Sequence, residues 1–345
     1  MTITPHTLRT ERHTTAYLAA GPEDGPLLVF CHGWPELSHS WRHQLTALGA
    51  LGFRCVAPDM RGYGNSTVYA DKAAYRREEA VRDMLELLAG LGRGSAVWIG
   101  HDWGSPVVWN IATHHPEVVD AVASLNVPHF PSSGPSTVEL IDRDVYPADE
   151  FPYGQWDYQV HYLKAFDEVT AYFESDVAGL IAALFRSGAP SHLDGPAPTA
   201  LISRNGGWFG GGPVPTMAPD PAVLTAEDHA IYTAAFQRNG MAGPNSWYVN
   251  GVADAEYADR ELDGGRIGVP ALFLHGRYDA TLETVRSRLA EPMRAACADL
   301  TEVVVESGHW MAEERPADVN AALVRWLATR VPDRWPGPAE ARAAG

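Results

Sequence analysis

The chain has 345 residues, 46% apolar and 20% charged, a composition typical of soluble globular proteins that excludes a disordered or fibrous class. Acidic residues outnumber basic ones 43 to 26, and the formal charge of −17 makes nucleic acid and anionic membrane surfaces unfavourable partners. Cys31 and Cys55 lie in apolar runs, so the three cysteines are interpreted as reduced thiols rather than as a disulfide framework or a metal site.

The beginning of the chain carries no sign of export. Residues 1–15 are polar and include Arg9, Glu11 and Arg12, without the apolar stretch of a signal peptide. No segment approaches 18 consecutive apolar residues, the length that a membrane-spanning helix requires. The sequence therefore predicts a cytoplasmic protein without membrane insertion, long enough for one large core and an inserted subdomain.

Short apolar runs recur along the chain and predict strands. They are residues 27–31, 53–57, 96–100, 121–125, 271–275 and 303–305. Most runs are continuous rather than alternating, as in parallel strands covered on both faces. Helical patterns lie between several of them, most clearly over residues 74–91, where the apolar residues share one face. The pattern predicts an α/β fold with a mostly parallel central sheet flanked by helices.

The alternation of strands and helices stops after Asn126. Residues 130–260 are rich in aromatics, glycine and proline, with helices predicted over 165–186 and 226–238 and a glycine-rich loop over 203–215. We therefore expect a core in two parts, residues 1–129 and 261–335, with a mainly helical cap at 130–260 between them. Residues 336–345, rich in alanine, proline and glycine, are expected to be frayed.

A strand that runs directly into a helix carries the strongest functional signal. Residues 96–100 lead into Gly100-His101-Asp102-Trp103-Gly104, and a helical pattern follows. Small residues two before and two after a central residue are typical of the nucleophile elbow, usually written G-x-S-x-G. Here the central residue is Asp102. By itself the motif leaves two interpretations open, a nucleophile or the N-cap of the helix.

Two further residues follow later strands and complete a triad. Asp279 follows the strand at 271–275, and His309 follows the strand at 303–305. The order nucleophile, acid, histidine is the order of the α/β-hydrolase triad. Because the carboxyl ends of parallel strands meet at one edge of the sheet, these residues are expected to lie together.

The loop His32-Gly33-Trp34-Pro35 follows the first predicted parallel strand and belongs to the same edge. The backbone N–H groups of Trp34 and of Trp103, the residue after the nucleophile, are expected to form the oxyanion hole. His32, Gly33 and Pro35 are expected to support this loop without touching the substrate.

Together these segments resemble the epoxide hydrolases of the α/β-hydrolase superfamily. The resemblance rests on His32-Gly33-Trp34-Pro35-Glu36, Arg61-Gly62-Tyr63-Gly64-Asn65-Ser66, Gly100-His101-Asp102-Trp103-Gly104 and Gly308-His309-Trp310. In that family two cap tyrosines donate hydrogen bonds to the epoxide oxygen, and the matching segments imply Tyr158 and Tyr248. The sequence departs from the family after the first tyrosine, where Tyr162-Leu163-Lys164 stands, so Trp156 and Tyr162 compete with Tyr158.

The resemblance implies an enzyme that converts a small-molecule epoxide and water into a vicinal diol through an ester on Asp102, with no metal and no cofactor. A haloalkane or haloacid dehalogenase with the same triad is the alternative, and a non-catalytic ligand-binding member of the fold is a third. The sequence makes no prediction of the oligomeric state, the physiological epoxide or the stereochemical preference.

Overall fold

The computed structural model of the protein describes residues 1–337 and contains an eight-stranded sheet. The strand order is β1-β2-β4-β3-β5-β6-β7-β8. The strands are β1 (Thr4–Arg9), β2 (Thr14–Ala20), β3 (Leu27–Cys31), β4 (Arg54–Pro58), β5 (Ala96–His101), β6 (Val119–Leu125), β7 (Ile267–Gly276) and β8 (Cys297–Val305). Strands β3 to β8 pair in parallel, whereas β1 and β2 are antiparallel to their neighbours.

All six strands predicted from apolar runs are present, which confirms the α/β fold. The apolar runs did not predict β1 and β2. Strand β1 lies at the edge of the sheet and is largely exposed, so it lacks a continuous apolar run. Residues 338–345 of the predicted frayed tail lie outside the described residues.

Helices cover both faces of the sheet. They are α1 (Arg42–Ala50), α2 (Arg77–Gly90), α3 (Gly104–His114), α4 (Asp157–Lys164), α5 (Phe166–Ser175), α6 (Val177–Leu184), α7 (Ala226–Asn239), α8 (Ala242–Ser246), α9 (Gly251–Ala258), α10 (Glu291–Ala296), α11 (Met311–Glu314) and α12 (Pro316–Arg330). Alternate side chains of each strand point to opposite faces, so β3 contributes to two cores. Val29 packs on the side of α2 and α3, and Phe30 packs on the side of α1 and α12.

Residues 126–266 connect β6 to β7 and consist of helices and loops throughout. The helix predicted over 165–186 is in fact two helices, α5 and α6. The break lies at Asp176, whose backbone is extended and whose side chain caps α6 by accepting from the Gly179 amide. Within residues 1–337 no helix is long and apolar enough to cross a membrane.

Candidate active site

Asp102 occupies a tight turn between β5 and α3. Its φ of 45° lies in the left-handed region, which non-glycine residues seldom adopt. The turn brings the strand and the helix so close that a Cβ at Gly100 would lie 2.7 Å from the Ser105 Cα. The small residues on either side of Asp102 are therefore required by packing, and the turn presents the carboxylate at the carboxyl edge of the sheet.

The side chains of Asp279 and His309 meet that of Asp102 at this edge. Asp279 follows β7 and His309 follows β8. The His309 Nδ1 lies 2.9 Å from the Asp279 Oδ2, and its Nε2 lies 3.5 Å from the Asp102 Oδ2. The structure thus brings the three predicted triad residues into one connected arrangement, with the imidazole between two carboxylates.

The charges of this arrangement favour an imidazolium. Burial alone would lower the pKa of His309, but the charge of Asp279 and the contacts with both carboxylates outweigh burial and raise the pKa well above its ordinary value. Burial would raise the pKa of Asp279, but the charge of His309 and hydrogen bonds from His309, Asn126 and Thr281 lower it. Asp279 therefore stays ionised and can orient the ring.

The loop after β3 places a backbone donor on the Asp102 carboxylate. The Trp34 amide donates to the Asp102 Oδ1 at 2.7 Å, and the bond between Trp34 and the buried Pro35 is cis. Gly33 is required by space, since a Cβ there would lie 2.6 Å from the Trp103 amide nitrogen. The amides of Trp34 and Trp103 thus both lie near Gly33 and the Asp102 carboxylate.

His32 holds this loop through both ring nitrogens. Its Nε2 accepts from the Met60 amide at 2.9 Å, so its Nδ1 carries the proton and donates to the Gly33 carbonyl at 2.9 Å. Burial lowers the pKa of His32. A neutral imidazole is therefore built into the support of the loop.

A buried pair that the sequence analysis assigned no role lies behind the triad. The Glu36 carboxylate accepts from the Gly33 amide at 2.7 Å and lies 2.8 Å from the His101 Nδ1. The His101 Nε2 donates to the His309 carbonyl at 2.8 Å, so both nitrogens of His101 face acceptors. Burial would raise the pKa of Glu36, but the charge and hydrogen bond of His101 lower it to about 2. This ion pair links the loop after β3 to the loop that carries His309.

Asn126 is a second residue that the sequence analysis passed over. It follows β6 directly with a φ of 68°, and its Nδ2 donates to the Asp279 Oδ2 and to the His309 carbonyl. It therefore fixes the acid and the histidine together. A polar residue directly after a buried strand was the available signal.

Both predicted tyrosines are buried and reach the same cavity as Asp102. Tyr158 lies on α4 and Tyr248 follows α8, with ring centroids 5.6 Å apart. Burial raises the pKa of each phenol, and the charge of Asp102 raises both further. Both hydroxyls therefore remain protonated donors over the ordinary pH range.

The cavity has a volume of about 580 Å³ and a mainly apolar wall. Asp102, His309, Trp34, Tyr158 and Tyr248 contribute to its lining. Three aromatic residues that the sequence analysis considered for the site are not among the described residues that line the cavity. They are Trp103, Trp156 and Tyr162. The rest of the wall comes from some of the residues within the segments 183–186, 192–210, 278–281 and 308–310.

Histidine, cysteine and carboxylate side chains were also compared with the arrangement that a metal site needs. Within residues 1–337 no group of three or more histidine, cysteine, aspartate or glutamate side chains could hold a metal ion. His39, for example, contacts one carboxylate, that of Asp228 in α7, with 2.6 Å between Nε2 and Oδ1. His39 thus joins the core to a helix of the inserted segment.

Comparison with known proteins identifies the family. Residues 26–172 match the family described as alpha/beta hydrolase fold. The chain is 34% identical to epoxide hydrolase A of Mycobacterium tuberculosis over 318 residues, which are 89% of this chain and 92% of that protein.

The chain is also 33% identical to bifunctional epoxide hydrolase 2 of Sus scrofa over 308 residues, 88% of this chain, and it spans about half (52%) of that longer relative. The crystal structure of epoxide hydrolase A from Mycobacterium thermoresistibile superposes with a TM-score of 0.79 at 33% identity, covering 95% of this chain and 99% of that one. The chain belongs to the epoxide hydrolases of the α/β-hydrolase fold.

Proposed function

We propose that the protein converts an epoxide to a vicinal diol through a covalent ester on Asp102, with residues 130–260 acting as a cap on the core formed by 1–129 and 261–335. One observation carries the proposal. Tyr158 and Tyr248, which follow β6 in the chain, share a cavity with the carboxylate of Asp102 and the ring of His309. A nucleophile and two neutral acids thus face the same space.

The first step is attack of a carboxylate oxygen on an epoxide carbon. The carbon–oxygen bond of the ring breaks, an ester bond forms, and the negative charge passes to the epoxide oxygen. Tyr158 and Tyr248 donate hydrogen bonds to that oxygen, and one of them transfers its proton to it. An alkoxide is much more basic than a phenolate, so the transfer proceeds even though burial raises the pKa of both phenols.

The contacts of Asp102 indicate which oxygen attacks. The Trp34 amide already donates to Oδ1, whereas Oδ2 faces His309 at 3.5 Å. Oδ2 is therefore the nucleophile, and Oδ1 becomes the carbonyl oxygen of the ester. The same Oδ1 would carry the negative charge of the tetrahedral intermediate, held by the amides of Trp34 and Trp103.

The second step is hydrolysis of the ester by water. His309, whose proton restores the phenol, takes a proton from the water as it attacks the Asp102 Cγ. The intermediate then collapses, its hydroxyl proton passes to Oδ2, and the diol leaves with Oδ2 while Asp102 becomes a carboxylate again. In the free enzyme two carboxylates favour the imidazolium. Because esterification removes the charge of Asp102, one of these contributions disappears and the pKa of His309 falls. The histidine thus becomes a base at the stage that needs one.

The dehalogenase alternative finds less support in the site. A leaving halide requires N–H donors that face the cavity but needs no proton. The Trp34 Nε1 already donates to the Asn245 Oδ1 at 3.1 Å, and Trp103 is not among the described residues that line the cavity. The cavity instead offers two phenols, which suit an oxygen that must be protonated.

A non-catalytic ligand-binding role is also less well supported. A binding pocket has no use for a nucleophile in a left-handed turn with a histidine and an ionised acid aligned behind it. Holding two carboxylates and an imidazole in a buried site costs free energy that ligand packing alone would not require. The mainly apolar wall indicates an epoxide with an apolar substituent as the substrate.

The activity is tested with an aryl epoxide and a panel of haloalkanes. We expect diol from the epoxide and no halide from the haloalkanes. Asp102→Ala should abolish diol formation while leaving the fold intact by circular dichroism. Halide release without diol formation would favour the dehalogenase, and an active Asp102→Ala variant would refute the covalent route.

A further inference from the structure

The loop that carries His309 contacts residues 184–188, which comprise the last residue of α6 and the four residues after it. A Cβ on Gly188 would lie 2.5 Å from the Gly308 Cα, so the two backbones are in direct contact. On the other side of His309, Trp310 donates from Nε1 to the Leu184 carbonyl at 2.8 Å and stacks on Phe185 at 4.1 Å. Both residues that flank His309 therefore rest on this segment.

Glu314, at the end of α11, bridges the two backbones at their closest approach. Its Oε1 accepts from the Gly188 amide at 3.1 Å, and its Oε2 accepts from the Gly308 amide at 2.8 Å. Each carboxylate oxygen thus has its own donor. Burial raises the pKa of Glu314, whereas the bonds from the Gly308 and Gly188 amides lower it, because two N–H donors suit an ionised carboxylate better than a neutral acid or an amide.

We infer that Glu314 is a positioning residue for His309, acting by fixing the Gly308 peptide to residues 184–188 of the cap. The inference rests on the proposed function, because it concerns the step that His309 performs. The His309 carbonyl is already held by His101 and Asn126. Glu314 holds the peptide on the other side, so the imidazole keeps its place after esterification weakens its contact with Asp102.

This role makes the two chemical steps respond differently. Formation of the ester uses Asp102 and the two tyrosines, and His309 accepts no proton in this step. Hydrolysis of the ester depends on the distance between the His309 Nε2 and a water at the Asp102 Cγ, and catalysis of this kind is sensitive to small displacements. Loss of the Glu314 bridge should therefore slow hydrolysis and spare formation.

Glu314→Gln provides the sharpest test. The amide has nearly the same shape, but its NH₂ group must face either the Gly188 or the Gly308 N–H, so one bond of the bridge is lost. Asp318→Asn is the matched control, since it removes an exposed carboxylate of the neighbouring helix that pairs only with Arg315 among the described contacts. Trp310→Phe is an independent variant, which removes the bond to Leu184 and retains the stack on Phe185.

The experiment mixes enzyme in excess with an aryl epoxide and follows the ester by intact mass after acid quenching. In Glu314→Gln we expect an unchanged rate of ester formation and a rate of ester decay about tenfold lower, the effect of one lost hydrogen bond. Trp310→Phe should slow decay in the same way, and Asp318→Asn should match the wild type.

Decay at the wild-type rate in Glu314→Gln would overturn the inference, whatever Trp310→Phe shows, as would equal slowing of formation and decay in Glu314→Gln. A loss of folded protein would lower the amount of ester without changing its decay rate. If the wild-type protein forms no ester at all, the proposed function fails instead, so the two failures are distinguishable.

Discussion

Tyr248 and Tyr162 stack with ring centroids 4.4 Å apart and planes 6° apart, yet of the two only Tyr248 lines the cavity that contains Asp102. The hydroxyl of Tyr162 is buried and has no hydrogen-bond partner in the structure of residues 1–337. Tyr162 thus packs against Tyr248 through its ring, and it is not among the described residues that line the cavity. Tyr158 also lines this cavity, so the structure favours it over Tyr162, the tyrosine with which the sequence left it in competition.

Removal of single hydroxyl groups tests whether Tyr158 and Tyr248, rather than Tyr162, donate to the epoxide oxygen. Tyr158→Phe and Tyr248→Phe should each slow ester formation by about 100-fold, because each removes a donor to the epoxide oxygen. Tyr162→Phe should leave the rate unchanged, and it should leave stability equal or raise it by about 1 kcal/mol because an unpaired buried hydroxyl is removed. Rapid-quench rates and thermal unfolding measure both quantities. A slow Tyr162→Phe variant beside an unaffected Tyr158→Phe variant would transfer the role to Tyr162.

Removal of the base should separate the two halves of the reaction. His309→Gln retains a polar side chain of similar size but cannot take a proton from water. We expect the ester to form and then persist, so that intact mass shows enzyme enlarged by the mass of the epoxide. Absence of this adduct, with diol formation continuing, would contradict the role of His309.

Gly33→Ala tests the approach of the loop after β3 to the Asp102 carboxylate. The added methyl group would lie against the Asp102 side chain and 2.6 Å from the Trp103 amide nitrogen, so the loop must move. We expect kcat/KM to fall at least about 100-fold, as when an oxyanion donor is lost. Gly94→Ala is the matched control, because nothing lies within 4 Å of its added methyl group. Equal activity of the two variants would show that the loop tolerates displacement.

Glu283 should make stability depend on pH. It follows the Asp279 loop and accepts from the Tyr146 hydroxyl at 3.2 Å. Burial raises its pKa from 4.5 to about 7, despite the opposing charge of Arg286. Between these values the folded protein binds a proton that the unfolded chain releases, so this group stabilises the fold at low pH and its contribution is lost as the pH rises to about 7.

Glu283→Gln removes this titration and retains an acceptor for Tyr146. Chemical unfolding at pH 5 and pH 8 should therefore show that the variant gains stability relative to the wild type at the higher pH. A difference between variant and wild type that is the same at both pH values would contradict the raised pKa.

The triad could be predicted from sequence because each member is marked locally. Asp102 lies between a buried strand and a helix with small residues at fixed spacing, and Asp279 and His309 each follow a buried strand. The topology of parallel strands then brings them together. The pair Glu36 and His101 could not be predicted in this way, since their contact joins residues 65 positions apart through side chains alone.

The choice between Tyr158 and Tyr162 could not be made from the sequence pattern. Tyr158 and Tyr162 lie one turn apart on α4, and both are buried, so spacing and hydropathy do not distinguish them. Only the position of the cavity does. Strand β1 escaped prediction for a related reason, because it is an exposed edge strand stabilised by pairing with β2 rather than by burial.

The origin of the oxygen in the first diol tests the central claim most directly. Enzyme in excess over an aryl epoxide, in water labelled with ¹⁸O, completes one turnover per molecule. If the Oδ2 of Asp102 attacks the epoxide, the first diol carries unlabelled oxygen from the protein, and the label appears in Asp102. A first diol that carries solvent ¹⁸O, with an unlabelled Asp102, would show that water attacks the epoxide directly and would contradict the covalent mechanism.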